Sequence, residues 1–253
     1  MLVRMRRAPG WDVECTFLDA EGEASTVSLR ALDPVKVVRG RPVRSFPSHA
    51  ALRHYPGWWW SSTMQDLVGY ESLLERDCLM MADQDPEVCG VASQPLWLQG
   101  LLEDGRPVRH VPDYLVAHRD GTWTLVDVKP SYLVERPEVG KVLSWTGKVA
   151  ADRGWGYQVW SGASAQRLAN LHFLAQGRRS QLVAPEIAAA IARVAEVGMT
   201  LALLQRTVAA QEKWPCPEVR SALICCLWFG SVSVDLDRPV ANLSVVTHVR
   251  RTS

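Results

Sequence analysis

The chain has 253 residues, of which 47% are hydrophobic and 22% are charged, a composition typical of a globular protein with a sizeable core. A formal net charge of +1 argues against a general binder of polyanions. The sequence shows no apolar run long enough for a membrane span and no signal-peptide segment. Its six cysteines include no C-x-x-C pair, so we expect a reduced cytoplasmic protein without a disulfide framework.

The first 60 residues are predicted to form strands and a basic segment attached to the domain that follows. The positive charges favour either a surface that faces DNA or solvated loops. These basic residues are Arg4, Arg6, Arg7, Lys36, Arg39, Arg41, Arg44 and Arg53. Three consecutive tryptophans follow at 58–60. Such side chains either stack on bases, dock a partner or fill the core. We expect at least one of them in the core.

Residues 69–81 are predicted to form a helix, because apolar side chains recur there at helical spacing. This apolar stripe consists of Tyr70, Leu73, Leu74, Cys78 and Met81. Glu71 and Glu75 stand one turn apart beside the stripe, and Asp85-Pro86 ends the helix. Each glutamate is either a solvated surface group or the third acid of the site described next.

Two short segments, 111–118 and 122–128, are rich in strand-forming residues and flank an Asp-Gly turn at 120–121, which predicts a β-hairpin. A loop centred there pairs residues whose numbers sum to about 240. Asp113 is therefore expected to face Asp127, or to miss it by one position.

The predicted hairpin sorts its side chains by alternation along the strand. Asp127 and Lys129 share a face with Leu125, while Val126 and Val128 point the other way into a core. The two facing aspartates repel unless a cation lies between them or one carboxyl is protonated. Oxygen ligands of this kind suit Mg²⁺ or Mn²⁺ rather than zinc. The hairpin is therefore either a divalent-metal site with an ammonium beside it, suited to cutting a phosphodiester, or an exposed edge hairpin with scattered charges.

A second helix and another strand are predicted after the hairpin. The helix begins near Pro137 and ends near Asp152, and residues 155–160 alternate like a strand. Three polar residues recur at helical intervals and face either DNA or solvent: Lys141, Ser144 and Lys148.

Residues 165–253 are predicted to form a second domain, in which three helices precede two strands, an order typical of a winged helix. The elements are helices from Pro185, from Thr200 as N-cap and from Pro217, and strands over 231–236 and 243–249. The third helix carries one basic residue, Arg220, so packing is favoured over reading of the major groove. Cys225 and Cys226 in that helix are expected in the core rather than on a metal.

Six motifs between residues 41 and 162 occur in a specific order. They are His-Tyr-Pro-Gly-Trp-Trp-Trp at 54–60, Tyr-Glu-Ser-Leu-Leu-Glu-Arg-Asp at 70–77, Asp-Pro-Glu-Val at 85–88, Ser-Gln-Pro-Leu-Trp-Leu at 93–98, His-Val-Pro-Asp-Tyr-Leu-Val at 110–116 and Val-Asp-Val-Lys-Pro at 126–130. This series resembles the TnsA-like endonuclease subunit of bacterial heteromeric transposases, a family of the PD-(D/E)xK nuclease superfamily. The D-x-K alone is a weak signal, whereas the ordered series is specific.

The resemblance implies an α/β fold with a PD-(D/E)xK restriction-endonuclease-like core, a mixed sheet flanked by helices, followed by a C-terminal winged-helix domain. The predicted order of helix, three strands, helix and strand is the order expected of this superfamily. The implied domains are 1–60 for the N-terminal strands and basic segment, 61–164 for the nuclease core and 165–253 for the winged helix.

The resemblance also implies the site residues. The helical acid carries over to Glu75 rather than Glu71. The remaining catalytic positions carry over to Asp113, Asp127 and Lys129. The founding member of the family has glutamine at the position of Asp127, and aspartate there matches the commoner pattern of the superfamily.

The implied cofactor is Mg²⁺, for which Mn²⁺ can substitute, with two ions in the site. The implied metal ligands are Glu75, Asp113, Asp127 and the backbone carbonyl of Val128. Lys129 would orient or deprotonate the attacking water or neutralise developing charge, and a lysine held between metal ions would have a lowered pKa.

The function implied is that of a DNA endonuclease subunit of a cut-and-paste transposase. It would hydrolyse the phosphodiester on the 5′ side of transposon ends in double-stranded DNA, beside an integrase-type (DDE) transposase and an AAA+ ATPase regulator. The resemblance also implies that the C-terminal domain contacts these proteins. One alternative is a stand-alone nuclease of a restriction or defence system. Another is a non-catalytic winged-helix DNA-binding adaptor, against which the intact acidic set argues.

Overall fold

The computed structural model describes residues 13–44 and 55–250, which contain both helices and sheets, so the chain belongs to the mixed α/β class. The described chain forms two compact units. One comprises the residues up to Ala82 together with Glu87–Gly162, and the other comprises Asp83–Pro86 together with the residues from Ala163. Within these ranges no helix is both long enough and apolar enough to cross a membrane. The predicted basic residues Arg4, Arg6, Arg7 and Arg53, and His54 of the first motif, lie outside the described residues.

The elements up to residue 160 build the first unit, except that the last two residues of α2, Asp83 and Gln84, belong to the second. In chain order they are β1 (Glu14–Leu18), β2 (Ala24–Ser28), α1 (Pro34–Val38), β3 (Gly57–Ser61), β4 (Asp66–Tyr70), α2 (Leu73–Gln84), β5 (Val88–Ser93), β6 (Trp97–Leu101), β7 (Pro107–His110), β8 (Tyr114–His118), β9 (Trp123–Val128), α3 (Ser131–Val134), α4 (Pro137–Asp152) and β10 (Gly156–Trp160).

Two four-stranded sheets and one hairpin organise this unit. The first sheet has the order β2-β1-β6-β7 and is antiparallel throughout. The second has the order β10-β9-β8-β5 and is mixed, because β9 pairs with β10 in parallel while its other pairs are antiparallel. A parallel pair needs a crossover connection, which α4 supplies. β3 and β4 form a separate antiparallel hairpin.

The core of the first unit combines side chains from both sheets and from α4. Leu98 comes from the antiparallel sheet, Leu125 from the mixed sheet, and Trp145 and Val149 from α4. The helix begins at Pro137, whose missing N–H costs nothing at the first position, and its buried residues recur every three or four positions. Each fully buried aliphatic side chain contributes about 1.5–3 kcal/mol, so this cluster holds the two sheets together.

The predicted helix over 69–81 begins later than expected, at Leu73, because Gly69 and Tyr70 belong to strand β4. It ends at Gln84, later than Met81 but before the predicted stop at Asp85-Pro86. Among the tryptophans, Trp59 is 9% exposed whereas Trp58 is 55% exposed, which follows from the alternation of side chains along β3. The expectation that at least one tryptophan is buried is confirmed.

The second unit contains four helices and a two-stranded sheet among its described residues. They are α5 (Ala165–Leu174), α6 (Pro185–Val194), α7 (Leu201–Glu212), α8 (Cys216–Trp228), β11 (Val232–Val234) and β12 (Val246–Val249). Thr200 caps α7 by accepting a hydrogen bond of 3.2 Å from the N–H of Leu203, as predicted. Helix α5 was not predicted, and the antiparallel strands are shorter than expected. Cys225 and Cys226 are buried in α8, so their expected place in a core is confirmed.

Candidate active site

The β8–β9 hairpin has the predicted register. Its last pair is Tyr114 with Val126, and Gly121 makes the turn at a φ of +84°, a conformation that glycine adopts without strain. Asp113 lies one residue before β8, so it stands opposite Asp127 at the open end of the hairpin. The expected juxtaposition of the two aspartates is confirmed.

Lys129 lies between these aspartates. Its Nζ donates to Oδ2 of Asp113 at 2.9 Å, donates to the carbonyl of Val128 at 3.1 Å, and lies 3.7 Å from Oδ1 of Asp127. Burial disfavours the ammonium, but the two carboxylates outweigh it and hold the pKa of Lys129 above its usual value. In this arrangement the ammonium of Lys129 lies between the two facing carboxylates and offsets their repulsion. The lowered pKa expected of a lysine between bound metal ions stays a prediction.

Asp113 is anchored by the backbone as well. The N–H of Val128 donates to its Oδ2 at 2.6 Å, whereas Oδ1 accepts no hydrogen bond from the part of the chain that the structure describes. Burial raises the pKa of Asp113, and the neighbouring Lys129 opposes that rise. Oδ1 of Asp113 is therefore open to a further ligand.

Asp127 is fully buried and surrounded by donors. His110 Nε2 lies 2.9 Å from each of its oxygens, and the hydroxyl of Tyr157 donates to Oδ2 at 2.7 Å. Burial acts to raise the pKa of Asp127, but the hydrogen bond from His110 and the charge of Lys129 outweigh it, so the pKa lies below its usual value. Sequence reasoning missed both His110 and Tyr157 as partners of this carboxylate.

Strand β9 is buried on both faces, because Leu125 and Val126 are both less than 5% exposed. The expectation that Val126 and Val128 point into a core is confirmed. The alternative of an exposed edge hairpin is wrong, because β8 and β9 are the inner strands of the mixed sheet. A buried carboxylate is costly unless hydrogen-bond donors surround it, which explains why His110 and Tyr157 both contact Asp127.

Glu75 occupies the third position of α2, where it caps the helix. Its Oε2 accepts from the N–H of Glu71 at 2.7 Å and its Oε1 accepts from the hydroxyl of Ser72 at 2.9 Å, while its own N–H donates to that hydroxyl at 3.1 Å. This is a variant of the capping box, which the Ser-x-x-Glu spacing encodes. The carboxylate thus satisfies donors at the start of the helix.

The carboxyl of Glu75 also interacts electrostatically with Asp113. Burial and then the negative charge of Asp113 raise the pKa of Glu75 to about 7, and its exposed fraction is 9%. The hydroxyl of Tyr114 donates to the carbonyl of Glu75 at 3.2 Å and ties β8 to α2. Glu71 instead lies 3.7 Å from Arg44. The structure therefore brings Glu75, not Glu71, towards Asp113, although no hydrogen bond joins the two among the described residues.

Gln94 was also missed. Its backbone N–H donates to the carbonyl of Asp113 at 2.8 Å, and its φ of +43° is unusual for a residue with a side chain. The side chain is 1% exposed, yet neither its amide nitrogen nor its amide oxygen has a hydrogen-bond partner within the described ranges. A buried polar group without a partner lowers the free energy of unfolding by about 1–3 kcal/mol, so the amide of Gln94 is a destabilising feature beside Asp113.

The polar face predicted on α4 borders a groove. Lys141, Ser144 and Lys148 line a cavity of about 610 Å³ together with residues 101–104. Lys148 forms an ion pair with Glu103, so its charge is partly neutralised there. A contact of this face with DNA stays a prediction.

Within residues 13–44 and 55–250, no three His, Cys, Asp or Glu side chains lie close enough to hold a metal ion by themselves. The donor chemistry nevertheless fits Mg²⁺, because carboxylate and carbonyl oxygens converge around Lys129 without any sulfur ligand. No protein-family model matches the chain, and no curated protein matches it significantly. The resemblance to TnsA-like endonucleases therefore stays a prediction.

Proposed function

We propose that the protein is a metal-dependent DNA endonuclease of the PD-(D/E)xK type, acting as the TnsA-like subunit of a heteromeric transposase. The observation that carries this proposal is the position of Lys129, 2.9 Å from Asp113 and 3.7 Å from Asp127 at the open end of a hairpin. Two facing carboxylates with an ammonium are costly to keep buried, and their combination suits hydrolysis of a phosphodiester.

The order of elements supports the same class. Helix α2, strands β5, β8 and β9, crossover helix α4 and strand β10 occur in this chain order, and the four strands form one mixed sheet. Strands β6 and β7 intervene between β5 and β8, and α3 intervenes between β9 and α4. In the second unit, α6, α7 and α8 precede the hairpin of β11 and β12. We assign the first arrangement to a PD-(D/E)xK core and the second to a winged helix that contacts partner proteins.

The proposed metal ligands are Asp113, Asp127, Glu75 and the carbonyl of Val128. Oδ1 of Asp113 accepts no hydrogen bond from the described residues, and carboxylate oxygens carry two lone pairs each, so Asp127 retains acceptor capacity beside its donors. Bound Mg²⁺, with Mn²⁺ as a substitute and two ions in the full site, would lower the pKa of a water and stabilise charge on the phosphate.

The residues themselves divide the work of hydrolysis. Lys129 is an ammonium held by Asp113, which suits it to orient the attacking water or to neutralise charge that develops on the phosphate. The capping contacts of Glu75 fix its carboxylate near Asp113, where it completes the acidic set. Burial of Asp127 keeps water away from its side of the site.

The proposed substrate is double-stranded DNA at transposon ends, cut on the 5′ side, with an integrase-type (DDE) transposase and an AAA+ ATPase as partners. The test is reconstitution with those two proteins on end-bearing DNA in Mg²⁺, comparing the wild type with Asp113→Asn. Loss of one member of such a unit should cost at least about 100-fold in rate.

A matched control lies in the same hairpin. Asp120→Asn removes the same charge from the exposed turn and keeps an oxygen for the hydrogen bond from Thr122. We expect this variant to cut like the wild type. Undiminished cutting by Asp113→Asn would overturn the proposed function.

A further inference from the structure

The carboxylate of Asp127 is held from two sides by residues that lie outside its own strand. His110 ends β7 in the antiparallel sheet and reaches both oxygens with Nε2 at 2.9 Å. Tyr157 belongs to β10, pairs with Leu125 in the parallel ladder, and donates its hydroxyl to Oδ2 at 2.7 Å. The orientation of the Asp127 carboxylate is therefore fixed by side chains from two other strands, one in the antiparallel sheet and one beside β9.

These donors leave one direction open. Tyr157 approaches only Oδ2, so His110 is the single hydrogen-bond partner of Oδ1 among the described residues. Nζ of Lys129 lies 3.7 Å from Oδ1, which is longer than a hydrogen bond. Oδ1 thus keeps acceptor capacity on the side of Lys129 and Asp113. Asp127 has no exposed surface, so a buried carboxylate depends on these donors and each contact bears directly on its geometry.

We propose that His110 and Tyr157 are positioning residues that aim the Asp127 carboxylate at a divalent metal ion shared with Asp113. This inference rests on the proposed nuclease function and assigns roles to two residues outside the acidic set. Donors behind a ligating carboxylate typically carry about 10–100-fold in metal affinity, because they fix its orientation and charge. His110 makes the larger contribution, since it engages both oxygens.

The experiment measures binding of Mn²⁺ alone to the full chain, by calorimetry and by electron paramagnetic resonance, without DNA. We expect His110→Ala to weaken Mn²⁺ binding about 10–100-fold and Tyr157→Phe to weaken it less, up to about 10-fold. His110→Gln places an amide nitrogen where Nε2 stood and should recover part of the affinity. Melting of the metal-free variants, followed in parallel, reports any loss of fold.

His118→Gln is the matched control, because Nε2 of His118 makes a 2.9 Å hydrogen bond to Oγ1 of Thr124 in the same hairpin, remote from the acids. This variant should bind Mn²⁺ like the wild type. A second readout is the Mg²⁺ concentration that half-saturates DNA cleavage. We expect this concentration to be higher for His110→Ala than for the wild type. At saturating Mg²⁺ the cleavage rate of the variant should return close to the wild-type rate.

The outcomes separate the two proposals. If His110→Ala binds Mn²⁺ like His118→Gln while Asp113→Asn abolishes binding, the positioning role is wrong and the nuclease proposal stands. If the metal-free melting temperature falls but the affinity of the folded protein is unchanged, His110 is merely structural. If the wild type binds no Mn²⁺, or Asp113→Asn binds and cuts normally, both proposals fail.

Discussion

The backbone N–H of Val128 donates a hydrogen bond of 2.6 Å to Oδ2 of Asp113. It ties the residue in front of one strand to the end of the next, beyond the last regular pair of the hairpin. A carboxylate that holds a backbone donor cannot turn away from the hairpin without losing that bond. The position of Asp113 is therefore set by the main chain, and the ammonium of Lys129 is placed relative to it.

Removal of the ammonium should destabilise the protein. Lys129→Met leaves Asp113 and Asp127 facing each other without the ammonium between them, and we expect the free energy of unfolding to fall by about 2–4 kcal/mol in metal-free buffer. The double variant Asp113→Asn/Lys129→Met should lose less than the single one. Urea denaturation at neutral pH measures both. A single variant as stable as the double one would contradict the pairing.

A divalent ion should compensate for the lost lysine charge. We expect millimolar Mg²⁺ to raise the melting temperature of Lys129→Met more than that of the wild type, because the carboxylates then lack a cation of their own. Thermal melts with and without EDTA measure the difference. Equal shifts in the two proteins would show that Mg²⁺ does not act at these carboxylates.

The capping glutamate should give the stability a pH dependence. Burial, and then the charge of Asp113, raises the pKa of Glu75 from a usual value of 4.5 to about 7 in the folded protein. Its folded form therefore binds a proton more tightly than its unfolded form. The resulting stability is complete below about pH 4.5 and is lost as the pH rises through about 7, amounting to roughly 3 kcal/mol.

Glu75→Gln should remove this dependence, so the free energy of unfolding of the variant should change less than that of the wild type between pH 5 and pH 8. Glu138→Gln is the control, because Glu138 is an exposed acid in the first turn of α4. It should keep the wild-type profile. Identical pH profiles for Glu75→Gln and the wild type would refute the raised pKa.

The buried amide of Gln94 should cost stability. Gln94→Met keeps the shape of the side chain and removes two buried polar atoms without partners, so we expect about 1–3 kcal/mol of stabilisation in urea denaturation. Gln158→Met, at an exposed position of β10, should change stability by less than about 0.5 kcal/mol. A destabilised Gln94→Met would mean that a water or a ligand satisfies the amide.

A close backbone approach in the second unit offers a further test. A Cβ on Gly177 would meet the backbone N of Cys225 at 2.6 Å and its Cα at 2.7 Å, so Gly177→Ala should cost about 2–3 kcal/mol. Gly140→Ala in α4 meets no atom closer than the carbonyl of Val134 at 3.8 Å and should stabilise by about 0.5–1 kcal/mol. Differential scanning calorimetry compares them, and a neutral Gly177→Ala would refute the contact.

The register of the aspartates was predictable because it follows from local rules. A turn at Gly121 and a two-residue alternation fix which residues of the hairpin meet, so Asp113 and Asp127 follow from counting. Lys129 follows from the same count. The two four-stranded sheets and the parallel pairing of β9 with β10 could not be predicted from local rules, since they depend on contacts between distant segments.

His110 and Tyr157 show why the rest of the site escaped prediction. One lies in a different sheet from Asp127, and the other arrives after the crossover through α4, so no spacing in the sequence relates them. Glu75 is a different case. The Ser-x-x-Glu signature of a helix start is present at Ser72 and Glu75. The apolar periodicity, however, extends back to Tyr70, which belongs to strand β4, so the predicted helix begins too early.

The parallel pairing of β9 with β10 also sets the order in which the site comes together. A hairpin with a short loop closes in microseconds, whereas a pair that encloses a whole helix must await that helix. We therefore expect Asp113, Asp127 and Lys129 to become neighbours early in folding and the hydroxyl of Tyr157 to join them later. A nascent chain that has emerged only as far as Asp152 already carries the acids and the lysine, but its fully oriented carboxylate forms only after the tyrosine strand docks.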